Sequence, residues 1–475
     1  MRVPLPRRLG ALVVALSFAL PLSAQEGGTR IPDEAIGTAV ALRDSAMAGT
    51  GAFGIVESLT TEIGPRMAGT EADARAVAWA EERFRALGYD RVRLEPVTFP
   101  VWHRGHERAE VVAPFPQPLL ITALGGSVGT GGEAIEAEVV RFGSLDELKA
   151  ADPASVRGRI AFIDQKMERF RDGRGYGRVV GARSQGANEA SRHGARAVLI
   201  RSIGTDSARM PHTGMMRYAD DVTPIPAAAL SIPDADQLAR ILERGQPVRV
   251  RLDIDAETRG EYTSHNVIGE IVGSERPDEI VFIGGHLDSW DLGTGAIDDG
   301  AGIAITMEAG RLIAALPERP KRTVRVIAFA NEEQGLIGAY AYAREHGGDI
   351  ARQIIGAESD FGAGRIYALR AGVKPEAREA IARIGEVLAP IGIAYEAEGG
   401  SPGPDVGPMV QRGMAWAQLA QDGTDYFDYH HTANDTLDKI EPAALDQQVA
   451  AYAVFAYLAA EAEGDFGSAP RTGGD

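Results

Sequence analysis

The sequence predicts an α/β protein: a mostly parallel sheet covered by helices, with a smaller β-rich module inserted into it. Three observations predict it. From Ile280 onward, short β-branched and aromatic runs (Ile280 to Ile283, Thr323 to Ala330, Ile354 to Ala357, Met414 to Leu419) alternate with segments of helical spacing. Uninterrupted apolar runs of this length suit strands buried on both faces, as parallel strands are. Chemistry-bearing residues follow each run directly, at the sheet edge where open α/β folds bind ligands. The third observation is length, since 475 residues exceed the ~250 to 300 at which one core stops growing. Two domains are expected.

Residues 1–24 carry Arg2, Arg7 and Arg8, an apolar run from Leu9 to Leu22, then Ser23-Ala24. That is the layout of a secretory signal peptide, too short and too interrupted by Pro21 for a membrane span. The expected location is secreted or periplasmic. A formal charge of −18 leaves no basic face for nucleic acid or anionic membrane, so neither is an expected partner. The absence of cysteine excludes disulfides, thiolate chemistry and a lipoprotein anchor.

Thr70 and Asp73 resemble a capping box opening a helix (Val77, Ala80, Phe84, Leu87) that Gly88 ends, and Val92 to Phe99 reads as a strand. This entry belongs to the first part of one domain, 25–118. Pro114, Pro116 and Pro118 and a glycine-rich piece then mark a boundary. The inserted module, 119–258, shows short strands at Val139-Val140, Ile160 to Ile163 and Val198 to Ile200 around a helix from Asn188 to Arg192. Its histidines His193 and His212 and the basic loop Arg169 to Arg174 read as solvated surface. The second part of the first domain, 259–462, ends in a long helix from Pro442 to about Ala460, and 463–475 reads as a disordered tail.

The chemistry lies in that second part. His286 follows a strand and Gly284-Gly285, and Asp298-Asp299 precede Gly300 where a helix begins. Glu333, Asp360 and His431 follow the next three strands. Singly, each is an ordinary strand-end or turn residue. Together, His286, Asp298, Glu333, Asp360 and His431 form an imidazole and carboxylate set suited to zinc, and five ligands with one carboxylate free to bridge fit two ions better than one. Asp288 is placed to take the second N–H of His286. Glu332 would lie beside a metal-activated water as its general base.

The stretches G-G-H-L-D-S-W-D-L-G-T-G-A-I-D-D-G-A-G (Gly284 to Gly302), N-E-E-Q-G (Asn331 to Gly335), E-S-D (Glu358 to Asp360) and H-T-A-N-D-T (His431 to Thr436) resemble the co-catalytic zinc exopeptidases of the aminopeptidase and plasma glutamate carboxypeptidase family. Val156 to Asp164 with His193 to Ile200 resembles the protease-associated domain that such enzymes carry as a lid. The resemblance implies the zinc exopeptidase fold, two zinc ions, Asp298 as the bridging ligand, Asp288 and Glu332 as the catalytic pair and a cis peptide at Asp298-Asp299. It also implies an oxyanion donor, for which Tyr429 and His430 are the nearest candidates. Asp405 is placed either in the substrate pocket or as a loop cap.

The expected function is therefore a secreted di-zinc metallo-exopeptidase that hydrolyses terminal peptide bonds of short peptides or dipeptides, with homodimerisation left open. Two alternatives stand beside it: a single-zinc, glutaminyl-cyclase-like acyltransferase, and a non-catalytic, receptor-like homologue. The full five-residue set argues against both.

Overall fold

Along the strand Arg276–His286, Val281 and Ile283 face one layer of helices and Ile280 and Phe282 face the other, because successive side chains point to opposite sides. Both faces are buried, which is why the run is apolar without alternation. In the computed structural model, which describes Met1 and residues 28–468, this strand is central to the sheet. Trp416–Gln421, Gln353–Glu358, Arg276–His286 and Arg322–Phe329 lie side by side and parallel. Antiparallel strands flank them, Ile366–Gly372 on one side and Arg249–Ile271 with Arg91–Ala113 on the other. Asp33–Met47, Ala301–Ala314 and Pro442–Glu461 share one core, and Ile337–His346 covers the opposite face. Pro442 opens its helix where a missing N–H costs nothing.

Thr70 caps Glu71–Ala86 by accepting the Asp73 N–H at 3.2 Å, while the Asp73 carboxylate reaches back to the Gly69 N–H. The strand expected at 92–99 runs on to Ala113 and pairs with Arg249–Ile271 from Arg91↔Glu270 to Ala113↔Arg249. Pro96 and Pro100 hide it in the sequence; an edge strand tolerates them because its outer N–H groups need no partner. These two strands run through both parts of the molecule, and the limit at 258/259 falls inside the second of them.

The inserted module is α/β rather than β-rich. Ile135–Phe142, Ile160–Ile163, Ala197–Arg201 and Ala227–Leu230 are parallel, with Ile121–Ala123 antiparallel at the edge, and the two longer helices are Arg174–Arg192 and Ile232–Leu242. The first helix is far longer than the expected 188–192. Its glycines lower intrinsic helix propensity, yet Gly186 is where the helix presses on Ile163, leaving no room for a Cβ.

The tail expected at 463–475 is packed as far as residue 468. Glu463 bridges to Arg30, and fully buried Phe466 accepts the Lys374 N–H at 2.9 Å, so one aromatic side chain anchors the segment. The expected signal peptide lies outside the described residues. Among the described residues no helix is long and apolar enough to cross a membrane.

Candidate metal centre

Because the four central strands are parallel, their carboxyl ends share one edge, and each delivers one of the predicted ligands there. The two oxygens of Asp298 divide the set. His286 Nε2 stands 3.0 Å from Asp298 Oδ1 and 3.6 Å from Asp360 Oδ1. His431 Nε2 stands 3.3 Å from Asp298 Oδ2 and 2.9 Å from Glu333 Oε2. All five predicted ligands thus converge, in two groups that meet at Asp298.

The loop around Asp298 is held from several sides. Asp435 accepts the N–H groups of Ala296, Ile297 and Asp298 at 2.9, 2.6 and 3.1 Å. Fully buried Arg66 donates to the carbonyls of Thr294 and Gly295 at 2.8 and 2.9 Å and to that of Leu287. The Asp298-Asp299 peptide is cis. Asp299 also lies close to His286 and Asp360, but one of its oxygens accepts the His286 N–H at 3.0 Å and the other the Gly302 N–H at 3.1 Å. Its acceptors are thereby used in shaping the turn. Asn331 and His431 adopt left-handed φ values of 51° and 60°, unusual for residues with a side chain and common at functional sites.

Both predicted ligand imidazoles are fixed through their other nitrogen. His431 Nδ1 meets the Thr213 carbonyl at 3.2 Å, a contact supplied by the inserted module. His286 Nδ1 meets the main-chain carbonyl of Asp288 at 3.0 Å, and the Asp288 carboxylate is 3.8 Å away. This corrects the sequence expectation, which gave that N–H to the carboxylate. The chain turns at Asp288 so that its carbonyl faces the ring and Oδ1 accepts the Glu332 N–H at 3.0 Å. Asp288 thus positions the segment that carries the two glutamates.

The electrostatics fit a cation. Among the described residues, no Lys or Arg pairs with Asp288, Asp298, Glu332, Glu333 or Asp360. Oxygens of Asp288, Asp298, Glu333 and Asp360 are buried without a hydrogen-bond partner. Burial alone would lower the His431 pKa, but Glu333 and Asp298 outweigh it and lift it to about 9. His286 is likewise held well above its ordinary range against burial, by Asp298 and Asp360. Burial drives Glu332 well upward and raises Glu333. Such an excess of buried carboxylate beside imidazole nitrogens suits zinc.

Other expectations change. Tyr429 lies on the far side of its helix, under Lys439, whereas His430 and Tyr426 line the cavity over the ligands. His430 stacks on His431 with ring centroids 3.5 Å apart, and its Nδ1 has no partner. His212 is buried rather than solvated; its ring bonds the His430 carbonyl and Asp206, each at 2.7 Å. The basic loop docks too, Arg169 onto Asp428 and Arg171 onto Asp422. Asp405 lies beneath the cavity wall, its N–H donating to Glu358 at 2.8 Å.

The sequence profile of peptidase family M28 matches residues 266–456. Human carboxypeptidase Q is 36% identical over 405 residues, which are 85% of this chain and 84% of that protein. The chain belongs to peptidase family M28. A crystal structure of a peptidase M28 precursor from Shewanella amazonensis SB2B superposes with a TM-score of 0.91 at 50% identity, covering 93% of this chain and all of that one. An aminopeptidase from Aneurinibacillus sp. strain AM-1 shares the fold, with a TM-score of 0.61 at 24% identity over 90% of this chain and 98% of that one. As a member of M28 the protein is a zinc metallopeptidase, and the non-catalytic alternative falls away.

Proposed function

We propose that this zinc exopeptidase works with two zinc ions, one held by His286 and Asp360, the other by His431 and Glu333, with Asp298 shared. The observation that carries this reading is the placement of the two Asp298 oxygens, each within 3.3 Å of a different imidazole. Zinc, when bound, lowers the pKa of a water from ~15.7 toward 7 and polarises the scissile carbonyl. The protein's own groups do the rest. Glu332, half-buried on the cavity wall, accepts the proton of the attacking water and passes it to the leaving amine nitrogen. Asp288 holds Glu332 in place through its backbone, and His430 faces the cavity as a donor to the developing oxyanion.

The cavity measures about 570 Å³ and is walled on one side by the inserted module through Asp172, Tyr176, Arg183 and Met215. That size suits a small ligand, so the module acts as a cover that restricts substrates to short peptides. Export rests on the pattern of residues 1–24; a cytoplasmic product retaining Met1 at its N-terminus would overturn it.

Metal analysis together with a ladder of peptides tests the reading. The purified enzyme should hold close to two zinc ions per chain, lose activity in chelator and regain it with zinc. It should shorten di- and tripeptides far faster than long unstructured chains. One zinc ion at full activity would favour the cyclase-like alternative, and efficient internal cleavage of a long chain would rule out the cover.

A further inference from the structure

One short stretch of the inserted module touches two of the loops that carry predicted ligands. Thr213 donates its N–H to the His431 carbonyl at 3.1 Å, and four residues later the Arg217 guanidinium donates to the Gln334 carbonyl at 2.8 Å. Among the described residues Arg217 pairs with no carboxylate, so its guanidinium is directed at the carbonyl that follows the two glutamates. We propose that Arg217 is a positioning residue for Glu332, bracing from outside the turn that aims this base into the cavity. This rests on the reading above in which Glu332 moves the proton.

The turn needs bracing because its backbone is unfavourable. Asn331 and Leu336 sit at φ values of 51° and 59°, with Gly335 at 122° beside the second. Residues that carry a side chain keep such conformations only where the surroundings over-determine them. Within the turn the Glu332 carbonyl accepts the N–H groups of Gly335 and Leu336, each at 2.8 Å, and the Asn331 carbonyl accepts that of Ile337 at 3.0 Å. From outside, Asp288 accepts the Glu332 N–H at 3.0 Å and Arg217 holds the Gln334 carbonyl, so the two ties flank the glutamate pair. Glu333 is also held by His431, 2.9 Å away, whereas Glu332 opens onto the cavity and its aim depends on the backbone.

The fit between Arg217 and the turn is close. A Cβ at Gly335 would overlap the guanidinium, so the turn leaves that space to it. Arg217 is itself pinned from behind by Asn188, 8% exposed on the helix Arg174–Arg192. The Asn188 amide donates to the Arg217 carbonyl at 2.9 Å and accepts the Ala219 N–H at 3.1 Å. A buried amide that uses both its donor and its acceptor on one three-residue stretch fixes the backbone from which the guanidinium reaches.

A double-mutant cycle at saturating zinc, with alanyl-leucine as substrate, tests this. Arg217→Met keeps the apolar stem and loses the N–H donors. It should lower kcat roughly 10-fold with KM, zinc content and melting temperature held, because even a small misplacement of a catalytic group is costly in rate. Arg217→Lys, which can still donate to the carbonyl, should restore most of that rate. In a Glu332→Gln background Arg217→Met should change kcat by less than about 2-fold, since the group it positions is gone. An unchanged kcat in Arg217→Met, or an equal loss in both backgrounds, overturns the inference and leaves the exopeptidase reading standing. Should Arg217→Met fail to fold, Arg217→Ala enters the same cycle and decides by the same outcomes. If Glu332→Gln alone keeps the wild-type kcat, the assignment of the base itself fails and takes this inference with it.

Discussion

Glu332 and Glu333 are adjacent in the chain yet face different surroundings, because the Asn331 backbone is left-handed and Asp288 holds the Glu332 N–H. Glu333 Oε2 lies 2.9 Å from His431 Nε2, while Glu332 opens onto the cavity. Glu332→Gln should keep zinc and lower kcat by ~10²- to 10⁴-fold, the usual range for loss of a general base. Glu333→Gln should lower zinc occupancy, with activity partly recovered in excess zinc. Metal content and kcat measured together check this, and the reverse pattern would exchange the two roles. The convergence of the five predicted ligands was legible in the sequence because each follows a strand, so local punctuation marks them. Arg66, Arg183 and His212 were not. Each acts through partners outside its own strand-end motif, His212 on the His430 carbonyl 218 positions away, and no local pattern carries that information.

The turn from Ala296 to Gly300 into the helix Ala301–Ala314 is the element on which the site depends, and its tolerance is set by how closely the backbones approach. A Cβ at Gly302 would overlap the Ser359 carbonyl oxygen and the Asp299 carboxylate, neither of which is a flexible chain end. Gly302→Ala should cost roughly 1–3 kcal/mol of stability and lower zinc occupancy, since relief requires moving the turn that presents Asp298. Gly37, exposed in Asp33–Met47 with nothing within 4 Å of its would-be Cβ, should do the opposite: Gly37→Ala is expected to stabilise by about 0.5–1 kcal/mol. Thermal melts and zinc content of the two variants check the contrast. Elements with continuous apolar patterning, such as Pro442–Glu461, were legible nearly to the residue. Those carrying prolines or glycines for tertiary reasons, Arg91–Ala113 and Arg174–Arg192, read as shorter than they are.

At the scale of the whole molecule, the inserted module is bonded to the loop that carries one predicted ligand. Thr213 donates its N–H to the His431 carbonyl at 3.1 Å and accepts from His431 Nδ1 at 3.2 Å, and Thr205 donates to the Phe427 carbonyl at 3.1 Å. His212, 1% exposed, fixes the His430 carbonyl between them. Residues that orient a metal-binding imidazole commonly set affinity by 10–100-fold when lost. His212→Ala should therefore weaken zinc binding by about that factor, although it lies in the module and touches no ligand side chain. Competition with a chelator gives the affinity, and a melting temperature recorded at saturating zinc separates loosened metal from lost fold. Wild-type zinc affinity in a folded His212→Ala enzyme would show that the module is a cover alone, and that the loop keeps its shape without it.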